Sequence, residues 1–416
     1  MRTAPNPLVL MATVGLFAIW GFAHQINAAI GPQFAAFFHL TNSQAAVSQS
    51  VVTVSLLALA IPAALFLRRF GYKLGVVFGL SSFSVGALLL YPAIDQHEYI
   101  YFLGAVIVLG AGWAWLETSA NPLIVSLGSP DTAVRRLNFA QSFYPIGVVL
   151  GYEVGKRLTQ MDLSQAGGQM AQTAVRPYVI VGLCVLFVAF LIENLDFPPV
   201  ATERTGKDTR AREELRTLLS RPTFRIGAAA IAAYIFAHVV LWSVTLSYAR
   251  QVIPAASGMT AANVITWSFV VYGIGRFAGT ALMYRFEPNR LFAVCAGACV
   301  VLTAAAVVIG GLPGIFCVVA TNFFMSIMYP TIFATTIRGL GHLTKAASGL
   351  LVAAMGVAAS LAPIALNAIV TLTSIQFAVI LPALSFGFLL VYSGAVRRAQ
   401  PCPPSAAQHA RPATQQ

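Results

Sequence analysis

Stretches of about 20 apolar residues, the length a helix needs to cross a bilayer, recur from one end of this chain to the other. Twelve can be read, at 8–30, 45–67, 74–92, 99–126, 136–157, 177–195, 224–250, 261–284, 290–309, 313–337, 346–370 and 375–396. A transmembrane barrel strand alternates over about ten residues instead of running apolar throughout. Backbone in lipid must bond within its own segment, so the spans read as helices. Of 416 residues, 58% are hydrophobic and 9% charged, where a soluble domain carries about 25% charge. No globule of this size can hide so much apolar surface. The chain reads as an all-α integral membrane protein.

The 25 basic residues then report orientation. With the N-terminus placed in the cytoplasm, 20 fall on the inner side, four (Lys156, Arg157, Arg176, Arg250) fall outside, and Arg276 lies within a span. That bias puts both termini in the cytoplasm, with a bacterial inner membrane as the expected location. The formal charge of +12 then serves topology and attraction to anionic headgroups; nucleic-acid binding is an unnecessary reading. The five cysteines form no CxxC and no metal set, and there is no nucleophile–base set or P-loop. Neither a cofactor nor an enzyme is expected, and a monomer is.

One long polar stretch, 196–222, divides the spans six and six. The expected layout is a six-helix half over 1–195, a cytoplasmic connecting loop over 196–222, a second half over 223–396 and an unstructured cytoplasmic tail over 397–416. Within the loop, "TRAREELRTLL" fits a short amphipathic helix lying on the inner membrane face. The halves echo one another. "FAH" at 22–24 recurs at 236–238, "LRRFGYK" faces "MYRFEPNR", and "ANPLIVSLG" faces "MYPTIFATTIRGLG". Six plus six related helices is the plan of the major facilitator superfamily, in which substrate binds near the midplane between halves that rock.

Of 13 acidic residues, only Glu117, in "GAGWAWLETSANPLIVSLG", lies far from a loop or helix end. A charge at that depth costs roughly 2.5–3.5 kcal/mol even on the lenient insertion scale. Such a residue is neutral, paired or hydrated, and a carboxyl that trades these states can carry a proton. Arg276, in "YGIGRFAG", is a candidate ion-pair partner, and pairing does not exclude coupling. Pro122, just beyond the acid, removes a backbone donor and should loosen its helix.

Polar and aromatic residues at helical spacing point to a cavity. Trp113, Glu117 and Asn121 share a face. The first span offers Trp20, His24, Gln25 and Asn27; the fifth Asn138, Gln141 and Tyr144; the seventh His238 and Trp242; the tenth Asn322, Met325 and Tyr329. One amide alone is explained by interhelical hydrogen bonding, about 0.6 kcal/mol. Amides with Trp and Tyr on five helices fit a polyhydroxylated ligand, because amides match hydroxyls and flat rings cover a sugar's apolar face.

"WLETSANPLIVSLG", "RRLNFAQSFYPIG", "IGRFAGTALMYRFEP" and "FMSIMYPTIFATTIRGLGHLTKAASG" resemble the L-fucose–proton symporter family, which also holds glucose/galactose and N-acetylglucosamine permeases. The resemblance runs from the first span to the last. It implies proton-coupled uptake of a neutral monosaccharide, with Glu117, Gln141 and Trp242 matching the family's glutamate, glutamine and tryptophan. Two positions depart. Ala28 stands where the family has an aspartate, and Tyr144 where it has an asparagine. His24, one turn before Ala28, would be the second titratable group. The competing readings are a facilitator or exporter of another solute without proton coupling, and a transport-dead sensor or scaffold.

Overall fold

The computed structural model describes residues 7–158, 168–197, 211–253 and 260–399, and among these every regular element is helical. The first half contains α1 (Pro7–Phe37), α2 (Asn42–Asp95), α3 (Tyr99–Ser126), α4 (Ala133–Gln141), α5 (Tyr144–Leu158) and α6 (Gly168–Asn194). A short α7 (Ala211–Ser220) follows. The second half contains α8 (Pro222–Val252), α9 (Ala261–Leu282), α10 (Pro288–Ile309), α11 (Gly311–Met325), α12 (Met328–Ile337), α13 (Thr344–Leu372) and α14 (Ile380–Ala399).

Twelve spans emerge because α2 supplies two, while α4–α5 and α11–α12 each supply one. In α2 the chain reverses at Gly71, whose φ of 85° lies in the left-handed region that glycine enters without a Cβ clash. The two interrupted spans share a cause. Pro145 and Pro330 lack the N–H that would bond the carbonyls four residues back, at Gln141 and Ser326, so each helix breaks there. Pro122 behaves differently: α3 runs through it without interruption.

The amphipathic segment of the connecting loop is helical from Ala211 onward, and its first residues, Thr209 and Arg210, lie outside the described residues. One face of it docks on the bundle. Glu214 and Leu218, one turn apart on one face, are buried, with Glu214 paired to Arg68 of α2 at 3.3 Å.

The halves meet closely. Gly349 and Gly356 of α13 lie against Ala60, Ala64 and Leu57 of α2, where any Cβ would collide. Within the first half, Gly21, Gly147 and Gly151 let α1 and α5 touch backbone to backbone, at Tyr144, Ala18 and Phe22. That contact holds the side chains of His24 and Tyr144 at a fixed separation.

Candidate functional site

A cavity of about 260 Å³ lies between the halves, lined from both. Trp20 and His24 come from α1, Trp113 and Glu117 from α3, Gln141 and Tyr144 from the α4–α5 break. The second half contributes Tyr234, His238 and Trp242 from α8, Tyr272 and Arg276 from α9, and Tyr329 and Met355 from α12 and α13.

Glu117 is buried. Its Oε1 accepts from the Tyr329 hydroxyl and, at 3.3 Å, from Asn121 Nδ2. The hydrogen bonds continue sideways. Asn121 Oδ1 accepts from Gln141 Nε2 at 2.6 Å, and Gln141 Oε1 accepts from Arg276 Nη1 at 3.0 Å. Arg276 also donates to Ser326 O at 2.7 Å, to Gln141 O at 3.2 Å and to the Tyr272 hydroxyl. Glu117 and Arg276 thus form no ion pair among the described residues; two amides stand between them. The fork of the guanidinium is already filled by two carbonyls, an amide and a hydroxyl, which is why it does not reach the acid.

The rest of the lining is rich in aromatic rings. Tyr144 OH and His24 Nδ1 are 2.8 Å apart, and the imidazole stands edge-on to Trp113 at 4.3 Å between centroids. His238 repeats the arrangement on Trp242, at 4.1 Å and 84°. The repeated "FAH" therefore delivers one imidazole per half to one cavity, each against a tryptophan. Trp242 Nε1 donates to Asn322 Oδ1 at 3.0 Å.

Of the residues singled out from sequence, Trp20, His24, Glu117, Gln141, Tyr144, His238, Trp242, Arg276 and Tyr329 line the cavity. Asn121 is fully buried behind Glu117 and Gln141, and Asn322 behind Trp242, so both touch wall residues instead of forming the wall. Gln25 is buried without being part of the lining. Asn138 is buried outside the lining and donates to Thr331 Oγ1 across the halves at 3.1 Å. The side chains of Asn27 and Ala28 lie outside the described residues. Sequence reasoning missed Tyr234 and Tyr272. Both sit one turn from a residue it found, His238 and Arg276, and that i, i+4 spacing is the signal that was there to read.

Two halves of six spans around a cavity lined from both, with a buried carboxyl of its wall bonded across the seam, define a membrane carrier. Comparison with known proteins makes the class specific. The Major Facilitator Superfamily profile matches residues 8–363. The L-fucose-proton symporter of Escherichia coli is 30% identical over 93% of this chain and 92% of its own length. A putative glucose/galactose transporter of Helicobacter pylori is 30% identical over 94% of this chain and 98% of its own length. The crystal structure of the transporter FucP in the outward conformation superposes with a TM-score of 0.84 at 30% identity, covering 94% of this chain and 98% of that one. The chain belongs to the Major Facilitator Superfamily, in the family that holds the L-fucose-proton symporters. It is a transporter and not an enzyme, like these relatives.

Proposed function

We propose that this protein imports a neutral monosaccharide together with protons by alternating access. The observation that carries the reading is Glu117: a buried carboxyl in the cavity wall, bonded across the seam by Tyr329. A single acid that touches both the cavity and the opposite half can report its protonation to the arrangement of the halves. The relatives' names, L-fucose-proton symporter and glucose/galactose transporter, favour the same cargo.

The cavity supports the substrate class. At about 260 Å³ it falls below the roughly 300–1,000 Å³ that holds drug-sized ligands, which suits one sugar ring. Trp20, Trp113 and Trp242 offer flat faces, while Gln141, Tyr144, His238 and Glu117 offer hydrogen-bonding groups. Gln25, Asn27, Asn121, Asn322 and Tyr329 complete the proposed binding set, the asparagines at 121 and 322 acting from behind the wall. His24 is the second proposed proton site.

The proposed layout keeps the boundaries 1–195, 196–222, 223–396 and 397–416, in a monomer whose termini face the cytoplasm of a bacterial inner membrane. The test is uptake of a labelled sugar panel into proteoliposomes with and without an imposed inward proton gradient. Accumulation of at least one monosaccharide above equilibrium only with the gradient is the expected result. Equal uptake in both conditions would replace the symporter with an uncoupled facilitator.

A further inference from the structure

Two proline breaks, one in each half, free a carbonyl apiece, and both carbonyls point at the same side chain. Pro145 has no N–H for Gln141 O, and Pro330 has none for Ser326 O. Arg276 fills both places, with Nη1 on Gln141 O at 3.2 Å and Nε on Ser326 O at 2.7 Å. In each half the residue before the proline is a tyrosine of the cavity wall, Tyr144 and Tyr329. Arg276 itself is 2% exposed, and its planar fork of donors is what lets one group serve two carbonyls at once.

We propose that Arg276 is a positioning residue that pins the two broken helices, and through them sets Tyr144 and Tyr329 in the cavity. Its place in the molecule follows from its acceptors, not from a counter-ion. The two bonds have different lifetimes in a rocking carrier. Ser326 and Arg276 belong to the same half, so that bond travels intact through the cycle. Gln141 belongs to the other half, so its carbonyl and amide are released whenever the halves part at this level. Tyr329 therefore keeps its setting throughout, while Tyr144 is held only when the seam is closed here.

The test exploits the prolines. In Arg276→Gln the Ser326 carbonyl loses its donor. Pro330→Ala supplies a helical N–H to that same carbonyl, so the second change should repair part of the first. Thermal unfolding of the purified protein in detergent should show a midpoint several degrees lower in Arg276→Gln, with roughly half of the loss recovered in the double variant, a non-additivity expected only of groups that share a partner. Arg276→Lys keeps the charge but not the fork, and should fall with Arg276→Gln. A double variant at or below the sum of the two single losses would overturn the proposal, and so would wild-type stability in Arg276→Lys. Should Arg276→Gln give no folded protein, recovery of folded protein on adding Pro330→Ala is the supporting outcome and its absence the opposing one.

A second arm measures labelled L-fucose and galactose binding, and rests on the proposed sugar transport. Binding lost in Arg276→Gln should return in part in the double variant but not in Arg276→Lys. Unfolding that is repaired without binding would leave the clamp standing and overturn its positioning role. If neither sugar binds the wild type, L-fucose and galactose fall as its cargo, and the unfolding arm still decides the clamp.

Discussion

Acid and arginine from opposite halves meet at two levels of this molecule, and the two levels solve the meeting differently. At the rim, Arg338 Nη2 touches Asp131 Oδ1 directly at 2.7 Å, with 42% and 81% of the side chains exposed. At membrane depth, Glu117 and Arg276 are kept apart by Asn121 and Gln141. Burial explains the contrast. A bare pair at depth must recover a desolvation cost of several kcal/mol per ion and is strongly destabilised when one partner changes. It would hold Glu117 in one charge state. Amides pass hydrogen bonds along without fixing that state, as the proton role proposed for Glu117 requires. In water the direct pair is easy to make and to break.

The largest expected effect breaks the deep level at the acid. Glu117→Gln keeps shape and hydrogen bonding but cannot titrate. Gradient-driven accumulation should vanish while exchange of substrate down its own gradient continues, and unchanged accumulation would remove Glu117 from the proton path. Next comes the relay itself. Gln141→Leu strips a donor from Asn121 and an acceptor from Arg276, and each buried group left unmet costs about 1–3 kcal/mol. Unfolding in detergent should register that loss, and a wild-type midpoint would show that the amides do not link the two charges. Smaller again is the wall. Trp242→Ala should weaken substrate binding about tenfold, equivalent to roughly 1.4 kcal/mol, in protein that remains folded. Wild-type affinity there would move the sugar elsewhere in the cavity.

The deep level was half legible in the sequence. Glu117 stood out because a carboxylate in an apolar run is costly and therefore rare, and the span that carries it, 99–126, coincides with α3. Arg276 stood out for the same reason, but its partner did not. Composition says that a buried cation needs acceptors; only the packing of α9 against the two broken helices says that carbonyls supply them. Pro145 and Pro330 were visible as residues, whereas the fate of the carbonyls they free is a tertiary fact. Asn322 shows the opposite limit. Helical spacing put it with Met325 and Tyr329, yet an amide on a cavity-facing helix can sit one layer back, as it does behind Trp242. The rim pair had no sequence signature, because Asp131 and Arg338 are ordinary polar residues between spans until the halves bring them together.

The rim supplies the smallest expected effect and the sharpest test of the contrast. An exposed pair contributes about 0.2–1 kcal/mol, so Asp131→Asn should change the uptake rate by less than about fivefold. Salt raised to 1 M, where the screening length is about 3 Å, should act on the wild type in the same direction and add little to the variant. Exchanging the partners, Asp131→Arg with Arg338→Asp, should bring the rate back towards wild type, since the exposed site asks only for opposite charge. The same exchange at depth, Glu117→Arg with Arg276→Glu, should abolish transport, because the carbonyls of Gln141 and Ser326 would then face a carboxylate that cannot donate to them. If Asp131→Asn abolished uptake outright, the rim pair would be no less essential to transport than the deep groups. The division of labour between a loosely held outer pair and an amide-spaced inner one would then be wrong.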